Sequence, residues 1–221
     1  MVIGLLLACP RVNAPMDSDS SAAVQWDSCG EWDSSDVLGA SWTWAWDDEQ
    51  DWDVGWTTEV VDRLDTAAGQ RFVVKTEGVS SQPGTESYTW LLESHVGCAD
   101  GWVTRHWSHN ETHIVYADGS AQNDVYDVEY DGGYALLPMD LTVGDTFTTG
   151  GKRRFLVDGE IFLEDEKTRD WEVLEESSVT VPGGAFTTLR ASDGEGVVHI
   201  AQGAGFVRWE DFSWLVSVEG L

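Results

Sequence analysis

The chain has 221 residues, 42% of them hydrophobic, which is enough for one β domain with an ample core and too apolar for wholesale disorder. It carries 40 acidic residues against 12 Lys and Arg, a formal charge of −28. That charge excludes nucleic-acid binding, which needs cations to neutralise phosphates, and it repels the folded domain from an anionic membrane surface. The acids are spread along the whole chain, so they read as a solvating surface more than as one acidic site.

In chain order, residues 2–8 form a short apolar run that ends at Cys9. The tetrapeptide Leu6-Leu7-Ala8-Cys9 resembles a bacterial lipobox, whose cysteine is lipidated and becomes the new N-terminus after cleavage. Only eight residues without Lys or Arg precede Cys9, fewer than a signal peptide uses, so its true start is expected upstream. Residues 1–8 are thus expected to be a signal segment. Residues 9–22, polar and with Pro10 and Pro15, are expected to be a flexible tether, and 23–221 a single β domain. Cys9 is followed by Pro10 and not by the Asp that retains many lipoproteins at the inner membrane. By that resemblance the destination is the outer membrane, facing the periplasm or the surface.

Setting Cys9 aside leaves Cys29 and Cys98. An oxidising compartment pairs them, and a loop of that length adds on the order of 4 kcal/mol in the chain-entropy model. The alternative is two separate buried thiols.

From about Leu38 onward the pattern has period two. Ser41–Trp46 alternates aromatic and small residues. Further strand-like runs are read at 55–61, 71–75, 88–92, 102–107, 113–116, 125–130, 153–164, 171–175, 179–181, 185–191, 197–201, 206–209 and 214–218. Turn signals separate them at Pro83-Gly84, Asp118-Gly119, Asp131-Gly132-Gly133, Gly150-Gly151, Asp158-Gly159 and Gly183-Gly184. The Asp158-Gly159 pair, flanked by apolar runs, reads as a hairpin turn.

Three segments in the C-terminal half resemble a group of uncharacterised bacterial lipoprotein β domains. They are Leu137–Phe147 (LP-x-x-L-x-x-GD-x-aromatic), Val179–Arg190 (V-x-VP-G-G-x-F-x-x-L-R) and Gly203–Arg208 (G-x-G-F-V-R). The resemblance covers about 134–219 and implies a half-barrel similar in shape to the LolA-type lipoprotein carriers: one strongly curved, open antiparallel sheet with an apolar concave face. It brings no catalytic residues. The segments themselves read as turns and close backbone approaches.

Candidate chemistry is sparse. His106, His109 and His113 would share a helix face and bind zinc, but their context reads as strand, turn, strand, so they are expected to be hairpin surface histidines and no metal site is assigned. Asp47, Asp48, Glu49, Asp51 and Asp53 are dense in carboxylates but break the EF-hand spacing. They read as a solvated hairpin tip, with weak calcium binding left open, as do Asp124, Asp127, Glu129 and Asp131. Asn110-Glu111-Thr112 is read as a chance glycosylation sequon. No nucleophile, phosphate-loop or dinucleotide motif is present, so the chain reads as a non-enzyme without a cofactor.

The 13 Trp residues stand out. Trp42, Trp44 and Trp46 share a sheet face on a regular strand, with Trp52 and Trp56 flanking the next turn. They are read as core, as an apolar groove for a lipid or partner protein, or as an exposed carbohydrate-binding platform, perhaps calcium-assisted. The expected role is therefore that of a non-catalytic, lipid-anchored envelope protein binding an apolar ligand or a partner protein, with a carbohydrate-binding module as the alternative.

Overall fold

A computed structural model describes residues 37–46, 53–66, 69–81, 86–202, 204–210 and 213–220. Among these residues there are twelve strands. They are β1 (Ser41–Trp46), β2 (Asp53–Thr66), β3 (Gly69–Ser81), β4 (Ser87–Ala99), β5 (Trp102–Val115), β6 (Ala121–Pro138), β7 (Thr146–Val157), β8 (Glu160–Val181), β9 (Gly184–Ser192), β10 (Val197–Ala201), β11 (Gly205–Trp209) and β12 (Ser213–Glu219). Each pairs antiparallel with its sequence neighbour, and β1 also pairs with β12.

The all-β expectation holds, but the open half-barrel does not, because the sheet closes into a barrel. The reason is the first strand. Ser41–Trp46 pairs with β2 along one edge and with Ser213–Glu219 along the other, so neither end of the sheet is left as an edge.

Several sites read as turns are bends inside long strands. Gly132 and Gly133 lie within β6 and Gly150 and Gly151 within β7, all four with positive φ. A Cβ on Gly151 would stand 2.9 Å from the Gly133 carbonyl oxygen, so the two glycine pairs meet where β6 and β7 bend together. Ser108–Asn110 is not a turn either: β5 runs unbroken through it, with an irregularity at Arg105/Trp107. The hairpin turn at Asp158-Gly159 is present, with both residues at positive φ.

The alternation of β2 to β6 sorts residues to two faces. Trp42, Trp56, Val60, Val74, Val96, Val103 and Val128 are buried in the core. The opposite face carries the row Glu59, Lys75, Glu93, His109 and Asp127, successive partners across β2 to β6. That charged row is not a lipid-facing belt, which would need an apolar band.

Strand direction gives the barrel two distinct ends. At one lie the start of β1, the β4–β5 turn and the β8–β9 turn. At the other lie the ends of β1, β3, β5 and β7.

Candidate functional site

The tryptophans come first. Trp42, Trp44 and Trp56 are 1%, 4% and 6% exposed. Trp44 and Trp56 face each other across β1 and β2 and stack with centroids 6.0 Å apart. Their rings pack in the barrel core, and Trp56 also borders the groove described below. Trp46 is half-buried against the same core. Trp52, Cys9, Cys29 and the acidic stretch 47–52 lie outside the described residues, as do the signal segment and tether. Cys98, at the end of the barrel where β1 begins, is disulfide-bonded.

A groove of about 840 Å³ runs along β1 to β6 toward the end where β1, β3 and β5 finish, and Trp56 and Trp90 are among the residues that line it. Two cross-strand rows line it. Thr43, Thr57, Glu77, Leu91, Glu111 and Val125 are successive partners on β1 through β6. Gly55, Val79, Thr89, His113 and Asn123 form the row beside them. Val79 and Val125 are 53% and 52% exposed, apolar residues at positions where the alternation calls for polar ones. They are the signal in the sequence that could have located this surface, and reading the wet face only as charged passed over them.

Polar groups frame these aliphatics. The Thr43 and Thr57 hydroxyls lie 3.1 Å apart, and His113 shares a 2.5 Å hydrogen bond with Asn123. Glu77 pairs with Lys75 at 2.6 Å. Beside the groove, His109 stands between Asp127 (2.7 Å) and Glu111 (3.1 Å). The Asp127 hydrogen bond raises its pKa above the ordinary imidazole value, with Glu111 adding to it against partial burial.

Of the three histidines singled out by spacing, β5 puts His109 and His113 on one face around Glu111. His106 sits against Gly97 and Gly133, bonded to the Thr104 hydroxyl at 2.9 Å. Burial, then the nearby charges of Arg71 and His95, push its pKa down to about 4. Among the described residues no group of three or more His, Cys, Asp or Glu is placed to hold a metal. The acids of β6 are dispersed: His109 holds Asp127 and Arg154 holds Asp131. Asn110 of the sequon lies within β5, bonded to Ser108, and not on a loop.

A second polar group joins β8, β9, β10 and the turn after β11. His199, 6% exposed, has Nε2 2.8 Å from Glu210 and Nδ1 3.2 Å from the hydroxyls of both Ser177 and Thr188. The Glu210 carboxylate, an acceptor, takes a hydrogen bond from Nε2–H, and Nδ1 faces the two hydroxyls. Burial acts to raise the Glu210 pKa, but hydrogen bonds from His199 and Arg190 outweigh it and hold the carboxyl below its ordinary value. Ser177 and Thr188 also bond each other at 2.8 Å. The group is a polar crosslink that satisfies an enclosed imidazole.

No protein-family model matches the chain, and no curated protein matches it. Among solved structures, a candidate lipoprotein from Parabacteroides distasonis matches 83% of this chain and 96% of its own, with a TM-score of 0.40 and 13% identity. At that score the likeness carries no inference about fold or role.

Proposed function

We propose that this chain is a non-catalytic protein of the bacterial cell envelope, anchored in the outer membrane by lipid on Cys9, with Cys29 paired to Cys98. We further propose that it binds a partner protein through the groove on the face of β1 to β6. The observation that carries the binding reading is the division of that wall into a filled side and an open one. Trp42 and Trp44 are buried in the barrel, while the groove, lined mostly from the opposite face of the strands and bordered by Trp56 and Trp90, carries the exposed aliphatics Val79 and Val125. An interior filled in this way leaves little room for an apolar ligand, and buried rings do not make a sugar platform. The orientation supports the same reading. The chain enters β1 at one end of the barrel and the groove lies toward the other, so an anchored molecule would present the groove away from the membrane.

Metabolic labelling with an alkyne fatty acid tests the anchor: label on the wild-type chain and none on Cys9→Ser is expected, and equal label on both removes the lipobox reading. A photo-crosslinking amino acid at Leu91, in the native envelope, tests the groove. A discrete adduct absent when the same group replaces Leu174 supports it. No adduct at Leu91, or the same adduct at both positions, rejects the groove.

A further inference from the structure

The groove sets exposed aliphatics among charges that do not balance. The cross-strand row through it holds Thr57, Glu77, Leu91, Glu111 and Val125, and the row beside it holds Glu59, Lys75, Glu93, His109 and Asp127. Against the carboxylates of Glu59, Glu77, Glu93, Glu111 and Asp127, these two rows offer only Lys75 and His109. Both of those cationic groups are already shared. Lys75 bonds Glu77 at 2.6 Å, and Glu93 and Glu59 add to the pull that raises its pKa above the ordinary lysine value. His109 is divided between Asp127 and Glu111. The lining of the groove itself contains Glu77 and Glu111 and no Lys or Arg. A surplus of negative charge therefore surrounds Val79, Leu91 and Val125.

Carboxylates alone would suit any soluble cation, but the exposed aliphatics call for apolar contact as well. Charge disfavours this chain's own segments as the occupant. Residues 1–36 carry Arg11 alone against Asp17, Asp19, Asp27, Glu31, Asp33 and Asp36. Residues 47–52 carry Asp47, Asp48, Glu49 and Asp51 with no Lys or Arg. A second copy brings the same formal charge of −28, and like charges laid together oppose docking. The row from β1 to β6 spans roughly 24 Å at the usual strand spacing, the reach of about seven extended residues.

Resting on the groove reading above, we propose that the groove receives an extended segment of a different protein in which Lys or Arg alternate with aliphatic residues. Its cations meet Glu77 and Glu111, and its aliphatic side chains meet Val79, Leu91 and Val125.

The test is fluorescence anisotropy of a labelled heptapeptide alternating Lys and Val, titrated at physiological salt with the full chain carrying Cys9→Ser. Saturable binding that weakens with added salt is expected. Glu77→Gln together with Glu111→Gln should weaken it by about fivefold or more. Glu160→Gln together with Glu166→Gln, the same loss of charge at exposed positions outside the groove, should change it by less than about twofold. The peptide with Glu in place of Lys should not bind, and circular dichroism confirms that all variants fold. No binding of the Lys peptide, equal loss from both pairs of variants, or equal binding of the two peptides overturns the cationic partner. The Leu91 photo-adduct judges the groove itself. An adduct whose yield is unchanged by Glu77→Gln with Glu111→Gln keeps the groove and overturns its cationic occupant, whereas no adduct at Leu91 removes both.

Discussion

The β2–β6 wall and the β9–β11 segment use the same antiparallel pairing but are buried differently. On the wall one face is dry and one wet: Trp56, Thr58 and Val60 are buried while Thr57 and Glu59 are exposed. In β10, Val198, His199, Ile200 and Ala201 are buried in succession, and Gly205, Phe206 and Val207 repeat this in β11. A strand covered on both faces can offer nothing to solvent except at its ends. The half of the barrel able to display a binding surface is therefore the alternating half, and a consecutive apolar run marks where not to look for one.

The comparison breaks most visibly at the dry face. Trp42→Ala removes a ring that is 1% exposed and should cost about 3–5 kcal/mol; Ile200→Ala in the doubly covered segment should cost about 2–5 kcal/mol. Urea unfolding of both variants checks this. A loss below about 1 kcal/mol at Trp42 would mean that its face is not the core.

Next comes a glycine. A Cβ on Gly78 would lie 2.1 Å from the Trp90 ring, its cross-strand partner, because the indole covers the position where the glycine has no side chain. Gly78→Ala must push the ring away and should cost about 1–3 kcal/mol. Trp90→Ala together with Gly78→Ala should restore much of the strand's own stability, so the pair should be clearly non-additive in a double-mutant cycle.

The third effect is acid sensitivity on the wall. His106 has a folded pKa near 4 against an ordinary value of 6.5, so between these values the unfolded chain binds more protons. Stability should be full above about pH 6.5 and fall as the pH drops toward 4, by about 1–2 kcal/mol given solvent screening at a half-buried site. His95, lowered mainly by burial, acts in the same direction. His109 acts oppositely: its raised pKa gives stability present below its ordinary value and lost as the pH rises through the folded one. His106→Gln should flatten the acid limb of stability against pH; an unchanged limb would place the acid response elsewhere.

Much of this was legible in the residues. Ser41–Trp46, the Asp158-Gly159 hairpin and the punctuation of 179–190 all fold as their patterns read. The closure of the barrel was not legible, because it depends on pairing between strands at opposite ends of the described chain, and local periodicity says nothing of that. Nor was the continuity of β5, β6 and β8. Glycine pairs and polar residues that break a pattern look the same whether the chain turns back or merely bends. The groove escaped for a related reason: its rows join single residues from six strands and have no signature in any one of them.

The smallest expected effect sharpens the comparison most. Leu91 lies on the wet face of β4, between Glu77 and Glu111 in its cross-strand row, and its side chain does not reach the core. Leu91→Ala should change folding stability by less than about 0.5 kcal/mol, the range of surface substitutions, against several for Trp42 three strands away on β1. A stability-neutral Leu91→Ala that nevertheless loses the photo-adduct formed from a neighbouring position, Val79, would separate binding from folding on one wall. A large stability loss at Leu91 would instead mean that the groove is covered in the folded chain, and the wet face of β1 to β6 would then be structural rather than a surface for partners.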